Sequence, residues 1–141
     1  MYKIKIFSIG KTKEAWLLDA LNEYEKRLSS HMSIQWVLAK NNEQLISFLE
    51  KEEPPIVLDV EAKQFTSEEF SKQIFSSLEK LGSRLSFVIG GAEGIPAPIL
   101  AKAFTTISFS KLTFTHQMIR LLLLEQLYRA SEIQKGSGYH K

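Results

Sequence analysis

No cysteine occurs in the 141 residues, which excludes disulfides, thiolate nucleophiles and cysteine-ligated metal centres. Histidine is scarce too: His31, His116 and His140 lie far apart, a poor basis for a metal site. No sign of charge dominates. Eighteen Lys and Arg face sixteen Asp and Glu, leaving a formal charge of +2 and a pI near 8.8. Such a balance permits a nucleic-acid partner without announcing one. The longest unbroken apolar run is Leu121–Leu124, far too short to span a bilayer. The opening MYKIKIFSIG alternates, where a signal peptide would carry a continuous apolar run. Repeats, linkers and low-complexity tracts are missing as well. The expectation is one soluble, intracellular domain over residues 1–141, and 44% hydrophobic residues suffice to fill its core.

What is present is alternation of two periods. Tyr2, Ile4 and Ile6 alternate with Lys3 and Lys5 as in a strand, which Gly10 closes. From Thr12 the period turns helical, with Leu17, Ala20, Leu21, Tyr24 and Leu28 on one face. SIQWVLA, residues 33–39, reads as a second strand. A short helix follows, capped by Asn42 and stopped by Pro54-Pro55. IVLDV, residues 56–60, is a third strand. Thr66 and Glu69 form a capping box opening a helix that Gly82 ends. Leu85–Ile89 and Thr106–Ser110 are two further strands, separated by a helix started at Pro96 or Pro98. A long helix from about His116 to Ile133 follows. Strands alternating with helices predict an α/β fold: a mostly parallel sheet of five to six strands with helices on both faces.

Ligands of such sheets sit beyond the carboxyl ends of the strands. That rule brings together Leu58-Asp59, Gly90-Gly91, Ser110–Phe114 and Gly10-Lys11. The loop IGGAEGIP at 89–96 has neither the dinucleotide nor the phosphate-loop glycine spacing. Glu93 would also repel a pyrophosphate. The glycines instead suit a ligand that approaches the backbone closely and carries no phosphate. In the last helix, Met118, Ile119, Leu121–Leu124, Leu127 and Tyr128 cover nearly the whole circumference. A chain this short has little left to cover both sides, which predicts a homodimer paired by two-fold symmetry. Glu125 and Arg129, four residues apart, read as a helix ion pair able to orient the arginine.

Three separated motifs then converge. GGAEGI at 90–95, SKLTFTHQMIRLLLLEQLYRA at 110–130 and YHK at 139–141 resemble the ribosomal large-subunit pseudouridine methyltransferase family, a single-domain branch of the SPOUT superfamily. The start YKIKIFSIGK and the VLD at 57–59 extend the resemblance over the full length. It implies transfer of a methyl group from S-adenosylmethionine, with no metal, to ring nitrogen 3 of a pseudouridine in large-subunit (23S) ribosomal RNA. Modest basicity favours an assembled ribosome as substrate. The resemblance also implies an obligate homodimer and a trefoil-knotted carboxyl end, which threading rules would exclude by default, while the lack of cysteine suits a cytoplasmic location.

Carried over residue by residue, the implied cofactor site comprises Leu58, Gly90, Gly91, Ser110, Lys111, Leu112, Thr113, Phe114 and Thr115. Tyr139, His140 and Arg129 are the implied catalytic side, with His140 the candidate proton acceptor. Lys141, Arg129 and Lys11 would contact RNA, joined by Lys3, Lys5, Lys13 and Lys135. Gly136-Ser137-Gly138 reads as a flexible tether for the tail. Two positions depart from the family pattern: Thr115 stands where proline is frequent, and Ser131 where tryptophan is. His116 is expected to cap or pack at the start of the last helix. Two other classes fit parts of the sequence. A phosphoreceiver-like domain would need clustered acids where Ser8-Ile9-Gly10-Lys11 stands. A non-catalytic dimeric ribosome-binding factor would have no use for the glycine loop.

Overall fold

A computed structural model describes all residues 1–141. In chain order the elements are β1 (Tyr2–Ile9), α1 (Ala15–Leu28), β2 (Met32–Ala39), α2 (Asn42–Leu49) and β3 (Ile56–Leu58), then α3 (Ser67–Lys80), β4 (Arg84–Ile89), α4 (Ala97–Lys102), β5 (Thr105–Ile107) and α5 (His116–Lys135). The sheet has five strands in the order β2-β1-β4-β3-β5, and every pairing is parallel. A sixth strand does not form.

Strand alternation sorts the core into two layers. Ile4 and Ile6 of β1 and Leu85, Phe87 and Ile89 of β4 face α1, α3 and α5, whose Leu17, Leu21, Phe70, Ile74, Leu123, Leu124 and Leu127 complete the larger cluster. Phe7, Val88 and Val57 point the other way, onto Leu45 and Leu49 of α2 and Ile99 of α4. Helix α5 packs against both α1 and α3.

Caps decide where several helices begin. Thr66 accepts from the Glu69 amide at 3.0 Å while Glu69 accepts from the Thr66 amide at 2.8 Å, the reciprocal box read from the sequence. Asn41, rather than Asn42, caps α2 by accepting from the Gln44 amide. Thr115 caps α5 through the Met118 amide, which leaves His116 in the first turn and free of that role. Gly136 stops α5 with a left-handed φ of 71°, a conformation that costs glycine little.

The apolar residues of α5 divide between two faces. Leu123, Leu124, Leu127 and Ala130 are sealed inside the subunit. Met118, Leu121, Leu122 and Glu125 form a partly exposed strip on the outer side. The subunit thus closes one face of α5 and leaves apolar side chains partly exposed on the other.

Candidate active site

Because β4, β3 and β5 are neighbours, the segments leaving their carboxyl ends emerge side by side. Leu58–Val60, Ile89–Ile95 and Phe109–Thr115 bound one cavity of about 820 Å³, closed on the far side by Lys13–Leu17 and by His116–Ile119 of α5. That volume lies within the range of small-molecule and cofactor sites. Over half of the 23 lining residues are hydrophobic, and no arginine is among them, which argues against a phosphate-rich ligand.

Eight of the nine residues expected to hold a cofactor line this cavity: Leu58, Gly90, Gly91, Ser110, Leu112, Thr113, Phe114 and Thr115. Lys111 does not; its side chain is directed to solvent from the same loop. Ser108 and Ser110 shape that loop. The Ser108 hydroxyl donates to the Ser110 carbonyl at 3.0 Å, and the Ser110 hydroxyl accepts from the Leu112 amide at 2.9 Å. Leu112 is left 72% exposed and Phe114 40%. Trp16, at the start of α1, is 56% exposed on the opposite wall.

The two loop glycines differ in their surroundings. A Cβ on Gly90 would come within 2.6 Å of Ile95 Cδ1 and 3.1 Å of the Gly94 carbonyl carbon. On Gly91 it would meet only Ile9, at ordinary contact distances from 3.5 Å. The loop's own packing thus constrains Gly90 more tightly than Gly91.

The residues expected to do chemistry lie elsewhere in the same subunit. Arg129, Tyr139 and His140 gather at the far end of α5, thirteen residues and about 20 Å along the helix from His116. None of them lines the cavity. Arg129 pairs with Glu125 at 3.1 Å, as the spacing predicts, and this carboxylate raises the guanidinium pKa further. The Tyr139 ring packs edge-on against Tyr128 at 4.9 Å and lies 4.9 Å from the Arg129 guanidinium. Its hydroxyl donates to Glu125 at 2.9 Å. Burial, then that bond, pushes the Tyr139 pKa up to about 12.

Arg129 donates to His140 Nδ1 at 3.0 Å, so Nε2 carries the ring proton and faces Glu68 at 3.3 Å. Both imidazole nitrogens are occupied. The tail is thus docked on α5 and α3, where the sequence suggested a loose tether, because Tyr139 finds an aromatic seat. Lys141 is exposed beyond it.

Lys3 and Lys5 stand at the amino end of β1, away from the cavity, and Lys5 is held by Glu52 at 2.6 Å. They do not join the site. Lys135 pairs with Glu132 at 3.2 Å. Lys11 does not line the cavity; its carbonyl is held by Gln117, which does, as does Lys13.

Sequence reasoning also missed residues. His116 lines the cavity, and burial, Arg120 and Lys13 together lower its pKa, which favours the neutral ring. Arg120 is completely buried beneath the site. A signal for it existed, since Arg120 is the one charge in the run from Met118 to Leu124.

The mostly apolar cavity lies at the carboxyl edge of a parallel sheet, walled by a glycine loop and the entry to a long helix, the place where α/β folds hold small-molecule ligands. A family model described as "Predicted SPOUT methyltransferase" matches residues 2–140. The chain belongs to the SPOUT methyltransferase family. It is 50% identical over 141 residues to the Ribosomal RNA large subunit methyltransferase H of Protochlamydia amoebophila, covering all of both chains. The protein of the same name from Streptococcus gordonii is 39% identical over 158 aligned positions, with 99% of each chain covered. Among solved structures, a Legionella pneumophila protein described as a methyltransferase, in complex with the bound cofactor SAM, superposes with a TM-score of 0.53 at 9% identity. That match covers 92% of this chain and 66% of the other, and it speaks for the fold.

Proposed function

We propose that this protein methylates large-subunit ribosomal RNA with S-adenosylmethionine, at ring nitrogen 3 of a pseudouridine, as a cytoplasmic homodimer acting on assembled ribosomes. The observation that carries the reading is the 820 Å³ apolar cavity between the glycine loop and residues 110–119. The residues suit this cofactor. Gly90 and Gly91 expose backbone to the ligand, Leu58, Leu112 and Phe114 offer apolar walls, and Glu14 is an acid at the rim to favour a cation. The chain gathers no group of three His, Asp or Glu side chains to hold a metal. When bound, S-adenosylmethionine supplies an electrophilic methyl group on a cationic sulfur.

The protein's share of the reaction is to orient, exclude water and remove one proton. In-line placement of the accepting nitrogen supplies most of the rate. That nitrogen forms its bond to the methyl carbon as the carbon–sulfur bond breaks, and its imide proton passes to an acceptor, for which His140 is the candidate. His140 can accept only after leaving the Arg129 guanidinium, which now fills Nδ1.

The separation of Arg129 and His140 from the cavity is what a second subunit resolves. An antiparallel pairing of two α5 helices about Leu122 sets residue 129 of one copy opposite residue 115 of the other. The partly exposed strip of Met118, Leu121 and Leu122 and the apolar rim at Trp16, Leu112 and Phe114 are the surfaces available for it. Each cavity then receives its catalytic side from the partner.

Deletion of residues 139–141 tests this reading. Calorimetric affinity for S-adenosylmethionine should stay within about threefold, because no cavity residue is touched. Methylation of ribosomes should fall by about two orders of magnitude, the worth of a positioned proton acceptor. Full activity in the truncated protein would remove the tail from the mechanism. Failure of the intact protein to bind the cofactor would remove the reading altogether and favour a non-catalytic ribosome-binding role.

A further inference from the structure

Arg120 is the largest fully buried side chain in the molecule, and none of its partners is an anion. Its Nε and Nη2 donate to the Ser8 hydroxyl at 3.2 and 3.0 Å. Nη2 also donates to the carbonyls of Ile9 at 2.9 Å and Gly10 at 2.7 Å, and Nη1 to the Thr12 hydroxyl at 3.0 Å. Gln117, one turn earlier, extends the same contact. Its amide donates to the Lys11 carbonyl at 3.0 Å and accepts from the Lys13 amide at 3.3 Å. Each residue from Ile9 to Lys13 is thereby tied to α5 by one of two side chains. From the sheet the loop receives little more than the Gly10 amide bond to Ala39.

A guanidinium buried without a carboxylate is a costly way to fill a helix face. One turn on, Leu123 and Leu124 fill the same buried side of the helix with apolar side chains. What a leucine lacks is a planar fork of donors that fixes several carbonyls at once. The clamp also determines where the loop's own charges go. With the backbone held inward, Lys11 and Lys13 are exposed and form no ion pair, unlike Lys5 and Lys135. Lys13 stands on the cavity wall, and Lys111, also exposed and unpaired, leaves the opposite loop. Free cations flanking the mouth of an apolar cavity match the phosphates on either side of a nucleotide whose base enters it.

We propose that Arg120 and Gln117 are positioning residues, which hold the β1–α1 loop on α5 so that Lys11 and Lys13 meet substrate phosphates at the cavity mouth. This rests on the ribosomal RNA reading above, and the experiment separates the two.

Arg120→Met, Arg120→Lys and Gln117→Ala are compared with Lys11→Ala/Lys13→Ala, alone and combined with Arg120→Met. Trypsin cleavage after Lys11 and Lys13 reports the clamp without any activity. It should quicken about tenfold or more in Arg120→Met and Gln117→Ala, and in Arg120→Lys too, since an ammonium cannot span the same acceptors. Kinetics on ribosomes lacking the modification then report its purpose. The clamp variants should raise KM for ribosomes about tenfold, and in the Arg120 variants, whose side chain does not line the cavity, kcat and S-adenosylmethionine affinity should stay within about threefold. The slope of log KM against log salt should flatten by between one and two, the contribution of two phosphate contacts. Adding Lys11→Ala/Lys13→Ala to Arg120→Met should cost nothing further, because the lysines are already misplaced. Unchanged proteolysis would overturn the clamp. Additive losses, an unaltered salt slope, or a lysine variant with normal KM would overturn its purpose. Loop release with no methylation by the intact protein would instead sink the ribosomal RNA reading.

Discussion

Gly90 and Gly91 are adjacent in the chain but answer to different constraints. A methyl group at Gly90 would displace the Ile95 side chain and press on the Gly94 backbone at 3.1 Å, so Gly90→Ala crowds the loop that walls the cavity. At Gly91 the same methyl rests against Ile9 at 3.5 Å, an ordinary contact. We expect Gly90→Ala to weaken S-adenosylmethionine binding at least about tenfold, roughly 1.4 kcal/mol. Gly91→Ala should fold with an unaltered melting temperature. Calorimetry and thermal unfolding of both variants check this, and equal behaviour of the two would contradict it. The tail shows the same dependence on neighbours. His140 was legible as a proton acceptor only by resemblance, and its engagement by Arg129 and Glu68 depends on side chains 11 and 72 residues away.

At the level of elements, caps written in the sequence are the features that transfer most directly to structure. The box at Thr66–Glu69 is complete, and the Thr66 amide, the largest influence, holds the Glu69 carboxyl below the usual carboxylate range. A depressed carboxylate pKa adds stability above the unfolded value near 4.3, and that stability is lost as pH falls through the folded value. Glu69→Gln keeps an acceptor for the Thr66 amide but no titrating group. The variant should therefore show a shallower loss of stability below about pH 4.5 than the parent. Urea unfolding at a series of pH values measures it, and parallel curves would refute the assignment. Helix α5 was harder to read. Its sequence is apolar on most sides, yet burial divides it into a sealed face and an open strip, and only packing against α1 and α3 could decide which was which.

For the whole molecule, that division distinguishes two leucines that look alike in the sequence. Leu123 is fully buried, and an aspartate there leaves an uncompensated charge in the core, which costs several kcal/mol. Leu122 lies on the open strip. Leu123→Asp should fail to fold, whereas Leu122→Asp should give a folded monomer at micromolar concentration with methylation largely lost. Sedimentation with circular dichroism distinguishes them. A Leu122→Asp protein that stays dimeric would exclude the proposed pairing of α5.

The sequence by itself determined the class of fold, because strand and helix periods are local and alternate too regularly for another architecture. It also determined most of the cavity wall, since Leu58, Gly90–Gly91 and Ser110–Thr115 follow strand ends that a parallel sheet must place together. Tertiary structure alone decided the remainder. Arg120 becomes a clamp only when Ser8, Ile9, Gly10 and Thr12, more than a hundred residues earlier, are folded beneath it. The distance between the cavity and the Arg129–His140 cluster is likewise fixed by the straight rise of α5. Long-range contacts of this kind leave no period in the chain, so they become visible only once the core has packed.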